Sequence, residues 1–451
     1  MRLKIVIALI ILLALVHLIM VLPAINHPER FRIVDSDQYV DLASNLLKTG
    51  HFQGQVFAGI DLFRTPLYPL FLALGMLVFS DVKWISLLQE LLVLVNCFIL
   101  FRITLELGYK KAGIAAVIIY LLSINVAFEA LNIMTETFTA FCLILSLWML
   151  VRFWLKERNR WLFLSGLCQG IGALVRPIIF PLFIIWSLIL VIFWVWRVKK
   201  PALFIQCLRN LTVFLSGGLF LVLLWSARNY AVHHEFTLSS VAGTTFQDYI
   251  IAIPVAEVNH VTLNQAKDLI SSSPDPNAYI LEFIKAHPVP FLKAQARGIL
   301  NTLISVSYPS WAYALTGIKP ASTGIISSYS FDLTEIADQI RAGNLWILLG
   351  IGAILYDIVL FGLCLVSSLY IYKPCNNKIT PRLGLIILVT LIYMIITPLA
   401  DGSGRFRIPI EPYLALLAAF VFVLPNLKVI NYPSRMAKSE SSTQINETRK
   451  T

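Results

Sequence analysis

Two aspartates, Asp35 and Asp37, stand two residues apart in "RIVDSDQYVDLASNLLKTG", residues 32–50. Carboxylates so placed can cap a helix, share a cation or act as a general base. Gln38 follows Asp35 by three residues, the spacing of a capping box with Asp35 as N-cap. Such a cap is worth about 1 kcal/mol. A helix N-terminus also stabilises an ionised carboxylate, and an ionised carboxylate is what a general base requires. The two roles are compatible, and the local sequence leaves both open. Further polar groups punctuate apolar sequence: Arg64 in "LFRTPLYPLFLALG", Glu136 in "NIMTETFTAF", Arg176 in "GALVRPIIFP", and Arg228 and Asn229 in "LLWSARNYAVHHEF". Asp401, Arg405, Arg407 and Glu411 lie in "ADGSGRFRIPIEPYLALLAAF". Each arginine alone suits a snorkelling interfacial cation.

The elements that must position these groups are apolar. Of 451 residues 58% are hydrophobic and 14% charged, against about 25% charged in soluble domains. Continuous apolar runs long enough for a bilayer core recur, and their continuity indicates helices rather than barrel strands. About ten spans are expected, near 3–23, 84–106, 112–128, 135–154, 161–175, 178–196, 208–229, 344–371, 383–399 and 410–425. The apolar part of the first exceeds the roughly 7–15 residues of a signal peptide, so an uncleaved helix is expected. Residues 39, 42, 43, 46 and 47 have helical spacing and Gly50 ends the run, which predicts an amphipathic helix along the interface.

The segments "GYKK", "KERNR", "RVKKP" and "KPCNNKITPR", the N-terminus and the C-terminal tail all carry Lys or Arg. The positive-inside rule makes that side cytoplasmic. The net charge of +11 thus reflects orientation, and no nucleic-acid partner is indicated. Residues 24–83 and 231–343 then form two outer segments, and 428–451 reads as a disordered cytoplasmic tail. Cys97, Cys142, Cys168, Cys207, Cys364 and Cys375 all fall in spans or inside, so no disulfide framework is expected. His233, His234 and Glu235 lack metal-ligand spacing. The outer arginines break the inside bias and converge on one rim. Several Arg with Asp35 and Asp401 suit an anionic phosphate beside a basic reaction centre.

"DSDQYVDLASNLLKTG" with "RTPLYPLFLAL", then "GALVRP", "WSARNY" and "GRFRIPIEPYLALLAA", in this order and on this side, resemble the GT-C glycosyltransferases. The nearest branch comprises bacterial proteins related to protein O-mannosyltransferases and lipid A aminoarabinose transferases. The resemblance covers residues 1 to about 425 and implies an all-α polytopic membrane domain over 1–427. Residues 24–83 would be its catalytic loop and 231–343 its acceptor side. In that family an Asp four residues before a Tyr is catalytic, which falls on Asp35 and Tyr39. Many members carry Glu next, where this chain has Ser36, and Asp37 is the substitute expected to share the catalytic role.

The resemblance further implies a polyprenyl-phosphate sugar donor and a glycan, lipid or protein acceptor. Its phosphate-binding cations carry over to Arg64, Arg228, Arg405 and Arg407. Glu136, Arg176 and Asn229 join them as expected substrate contacts. Inverting transfer with Asp35 as base is the expected chemistry, without cofactor or essential metal. A divalent ion at Asp35 and Asp37 is the lesser alternative. The rival functions are a lipid-linked sugar flippase or transporter, an O-antigen or wall-polymer ligase, and a non-catalytic subunit. A transporter would place its polar groups near the midplane on repeated halves. Here they crowd one rim, and of the charges within spans (Glu90, Arg102, Asp357) Asp357 is expected to be paired.

Overall fold

The computed structural model describes residues 2–57, 59–195, 201–306, 308–317, 341, 346–371 and 379–426. The expected tail, Cys375 and the stretch 318–340 of the second outer segment lie outside them. The described residues hold helices and no strand. Where they are described, the ten expected spans fall mainly on helical residues; residues 196, 344 and 345 of those spans lie outside the described residues. The first nine principal helices are α1 (Arg2–Asn26), α2 (Val34–Thr49), α3 (Leu67–Phe79), α4 (Ile85–Glu106), α5 (Lys110–Leu122), α6 (Glu136–Lys156), α7 (Asn159–Val175), α8 (Ile179–Val195) and α9 (Pro201–His233). Short helices follow: α10 (Ala252–Asn259), α11 (Leu263–Ser271), α12 (Pro276–Ala286), α13 (Pro288–Ile304) and α14 (Tyr308–Thr316). The chain closes with α15 (Trp346–Ile371), α16 (Ile379–Ile396) and α17 (Glu411–Ala419), the last flanked by 3-10 turns Gly404–Ile410 and Phe420–Asn426.

Six stretches among the described residues are long and apolar enough to cross a bilayer, and three shorter apolar helices accompany them. The expected span 112–128 is broken at Ser123, whose hydroxyl accepts from the Val126 N–H at 3.4 Å and starts the short helix Ile124–Glu129. Serine competes for backbone hydrogen bonds and so favours such a cap. The last expected span is α-helical over Glu411–Ala419 only.

Packing explains the arrangement. Helix α17 is the axis of the core: Tyr413, Leu414, Leu416 and Leu417 are buried, and the Tyr413 hydroxyl donates to the Leu143 carbonyl at 2.8 Å. Helices α6 and α7 form a hairpin joined by Ser146 and Ser165, with Oγ atoms 3.0 Å apart. On α7, a Cβ at Gly166 or Gly170 would run into the backbone of Phe214 and Gly218 on α9. Small residues there let the two helices approach without a side-chain layer between them. By contrast α1 leaves Ile5, Ile11, Leu12 and Ile19 exposed, as a lipid-facing helix does.

Helix α2 is amphipathic over the first part of the expected face, with Tyr39, Leu42 and Ala43 buried, whereas Leu47 is exposed. Gly50 ends it with φ 74° and returns its N–H to Leu46 O at 3.0 Å, the left-handed cap that glycine adopts without strain. Its start differs from expectation. The N-cap is Ile33, not Asp35, and Ser36 is the capping side chain. The Ser36 hydroxyl accepts from the Ile33 N–H and donates to Ile133 O, each at 3.0 Å. Asp35 therefore lies inside the first turn, freed from capping.

Candidate active site

At one end of the bundle, the first turns of α2 and α6, the end of α7 and the turn before α17 meet. Asp35 Oδ1 accepts from Arg64 Nη2 at 2.7 Å. Arg64 also donates to Gln38 Oε1 from Nε and Nη2, at 2.9 and 2.7 Å, and to the Tyr39 hydroxyl at 3.1 Å. Its guanidinium lies 4.8 Å from the ring centroids of both Tyr39 and Phe63. Gln38 and Tyr39 are one turn from Asp35, so a single guanidinium fastens one face of α2. Asp35 Oδ2 lies 3.9 Å from Arg405 Nη2, beyond hydrogen-bond reach.

Arg405 faces a second carboxylate. Its Nε is 3.3 Å from Glu136 Oε1, and Arg176 Nη1 is 2.8 Å from the same oxygen. Glu136 is fully buried while Arg176 and Arg405 retain some exposure. Both arginines flank Phe406, each 5.1 Å from its centroid. Glu136 thus holds together two cations that would otherwise repel. Glu129 and Asp401 border the group. Burial pushes the Glu129 carboxyl up to about 7, partly opposed by a hydrogen bond from Asn132 and increased by the Glu136 charge. Burial likewise pushes Asp401 up to about 6, with Arg405 and Arg176 opposing it. Tyr39 is also raised, mainly by burial, so its hydroxyl remains a donor near neutral pH.

The expected residues therefore separate into four sets. Asp35, Arg64, Glu136, Arg176 and Arg405 are brought together. Arg228 and Asn229 are engaged elsewhere: Arg228 Nη2 binds Asp61 Oδ2 at 3.0 Å and Phe52 O at 2.9 Å, and Asn229 Nδ2 donates to Thr237 O at 2.8 Å. Burial opposes ionisation of Asp61, but hydrogen bonds from Arg228 and His233 outweigh it and hold the carboxyl below its usual range. Arg407 is wholly buried, with Nη2 on Asp357 at 2.6 Å, Nε on Glu411 at 2.8 Å and Nη1 on Leu303 O. This geometry corrects the expectation for Arg407, because its donors are consumed inside the bundle. Asp37 also stands apart: it is exposed and 3.8 Å from Arg32 Nη1.

Sequence reasoning missed Asp61 and His233, 2.7 Å apart. A carboxylate in the apolar turn "GIDLF" was the available signal. Among the described residues no group of three or more His, Cys, Asp or Glu side chains is arranged to hold a metal ion.

Chemically, the group offers a carboxylate oriented by one arginine and two further cations whose donors make no hydrogen bond among the described residues. Residues 64–225 match the model of the family described as dolichyl-phosphate-mannose-protein mannosyltransferase. No curated protein matches the chain significantly. Among solved structures, the chain is similar to the oligosaccharyltransferase of Archaeoglobus fulgidus. The complex with Zn and sulfate has a TM-score of 0.47 and 13% identity, covering 91% of this chain and 49% of that one. The form tethered with an acceptor peptide gives 0.44 and 13%, covering 89% and 49%. The apo form gives 0.44 and 14%, covering 93% and 50%. The chain spans about half the length of these structures. The resemblance read from the sequence thus meets a match over residues 64–225, where this all-helical polytopic membrane chain is similar to the dolichyl-phosphate-mannose-protein mannosyltransferase family.

Proposed function

We propose that the chain transfers a sugar from a polyprenyl-phosphate donor to an acceptor hydroxyl, on the non-cytoplasmic face, with inversion and with Asp35 as general base. The observation that carries this reading is the asymmetry of Asp35. Oδ1 is fixed by Arg64 at 2.7 Å, while Oδ2 makes no hydrogen bond among the described residues. A carboxylate held by one oxygen and open at the other can take a proton without losing its orientation.

The acceptor oxygen attacks the sugar's anomeric carbon as its proton passes to Asp35 Oδ2. The bond from that carbon to the phosphate oxygen breaks, and its electron pair leaves with the polyprenyl phosphate. Charge develops on the departing oxygen, where Arg405 and Arg176 can meet it in a partly dehydrated setting. Arg64 acts as a positioning residue. Glu136 keeps the two phosphate-facing cations side by side. The family match, with dolichyl-phosphate mannose in its description, supports a lipid-linked donor. The solved oligosaccharyltransferase bound to an inhibitory peptide and a dolichol-phosphate binds a lipid phosphate of the same kind.

The test is Asp35→Asn. Asp35 does not cap α2 and is partly exposed, so expression and thermal stability should change little. Transfer from a polyprenyl-phosphate sugar in proteoliposomes should drop by about 10²–10⁴-fold. Retention of full transfer activity by the variant removes Asp35 from the mechanism.

A further inference from the structure

A second constellation lies at the opposite end of the bundle. Helix α6 begins at Glu136 in the candidate site and runs for 21 residues to Lys156. At about 1.5 Å per residue it spans roughly 30 Å, the thickness of a bilayer's hydrocarbon core. If the candidate site marks one boundary, the last turns of α6 mark the other. Around them cations and aromatic rings alternate. Arg152 donates to Glu106 from Nε and Nη2, at 3.1 and 2.9 Å to Oε1. The same guanidinium lies 4.4 Å from the Trp148 centroid and 4.6 Å from that of Trp161. Arg102 donates to Glu106 at 3.0 Å and sits 5.7 Å from Trp148. Lys156 and Arg160 lie 5.7 and 4.8 Å from the Trp161 centroid.

Charge is in excess here. Arg102, Arg152, Lys156, Arg158 and Arg160 face Glu106 and Glu157, five cations against two anions. Glu106 is consumed by the two inner arginines. Lys156 and Arg160 are exposed and make no ion pair among the described residues. The buried Trp161 Nε1 and Arg102 Nε have no hydrogen-bond partner either. Tryptophan settles at headgroup depth, and basic residues there are drawn to anionic lipid. A plain interfacial anchor needs no fixed geometry. This one is locked by a carboxylate and a guanidinium sandwiched between two indoles, with side chains from three helices.

We propose that this platform, built from α4, α6 and the first turn of α7, is a binding site for the phosphodiester headgroup of an anionic bilayer phospholipid. The stacked Arg152 and the two tryptophans form its floor, and Lys156 and Arg160 its charged lip. The headgroup phosphate meets these two side chains, and its acyl chains lie along the apolar flank of α4, where Phe98 is exposed.

The full-length protein is released from nanodiscs of phosphatidylcholine mixed with phosphatidylglycerol, and retained lipid is measured by native mass spectrometry. Wild type should keep phosphatidylglycerol in preference to phosphatidylcholine. The double variant Lys156→Ala/Arg160→Ala should bind it about 30-fold more weakly, as loss of two interfacial charges implies. A charge-matched control, Lys110→Ala/Lys111→Ala, removes two exposed cations at the start of α5 and should retain it as wild type does. Equal retention by the Lys156/Arg160 variant overturns the site. So does an equal loss in the control, which would mean diffuse surface charge. Displacement of the lipid by millimolar inorganic phosphate would reassign the platform to a free anion and also overturn the proposal.

Discussion

Arg64→Lys separates positioning from phosphate binding. Arg64 binds Asp35, Gln38 and Tyr39 with three nitrogens at 2.7–3.1 Å. Lysine keeps the charge but has one nitrogen, so it cannot hold all three partners. Hydrogen bonds to charged groups are worth about 1.5–3 kcal/mol. Asp35 is 31% exposed, and water can replace part of what is lost. The lower end, about 1.5 kcal/mol, is therefore the better figure, corresponding to roughly a 10-fold smaller fraction of Asp35 in the productive pose. The expected result is kcat lower by about 10-fold with KM for the lipid-linked donor nearly unchanged. Arg405→Lys should behave differently and raise the donor KM, because Arg405 commits no donor to a protein hydrogen bond among the described residues. The assay is steady-state transfer in proteoliposomes with varied donor and saturating acceptor. If Arg64→Lys raises the donor KM by more than 10-fold while kcat holds, Arg64 binds the phosphate and the assignment of roles is wrong.

Arg407→Met should unfold the protein at markedly lower temperature. It strands Asp357 and Glu411 in the core, and breaking a buried ionic network from one side costs about 3–5 kcal/mol; thermal unfolding in detergent checks this, and an unchanged Tm would show that the carboxylates are neutral without it. Glu129→Gln should alter the pH dependence of stability. Burial raises Glu129 from its ordinary 4.5 to about 7, so the folded state holds the proton more tightly than the unfolded chain. Wild-type stability then falls as pH rises between those values, by at most about 3 kcal/mol. Unfolding midpoints at pH 5 and pH 8 should show the variant relatively stabilised only at the higher pH, and a pH-independent offset would contradict the shift.

The helices were legible because each apolar run is both a composition signal and a physical requirement in lipid. The fate of each charge was not. Arg64, Arg228, Arg405 and Arg407 look alike in sequence: each borders an apolar stretch, within two residues of Pro, Ser or Gly. What distinguishes them is a carboxylate far along the chain. Asp61 claims Arg228 from 167 residues away, and Asp357 claims Arg407 from 50. Asp357 was expected to be paired and is, since an unpaired carboxylate in a span is too costly to keep. The cap of α2 was misplaced for the same reason. Asp35 and Gln38 have capping spacing, but Ser36 is anchored to Ile133, 97 residues on, and the N-cap falls at Ile33, two residues earlier. Asp35 is then left to point at Arg64.

The sorting of arginines also explains why the buried triad sits where it does. Arg405 must face the candidate site on a turn without a regular helix to hold it. Two residues later, Arg407 enters the core and ties the turn to α15 through Asp357, to α17 through Glu411 and to α13 through Leu303. On the other side of the turn, Gly298 of α13 lies against the backbone of Leu399 and Ala400 so closely that a Cβ would collide with both. The segment 399–410 is thus pinned on both sides of Arg405. A triad with two carboxylates and one guanidinium is a poor source of stability in a low-dielectric interior. Its value lies in direction: hydrogen bonds to three helices fix one geometry, whereas apolar side chains of similar volume would let the turn slide. On this argument Arg407 serves the same end as Arg64. Each spends its hydrogen bonds holding a neighbour, one aiming Arg405 and the other Asp35, which leaves Asp35 Oδ2 without a hydrogen bond among the described residues and Arg176 and Arg405 paired with Glu136 alone at hydrogen-bond or near hydrogen-bond distance.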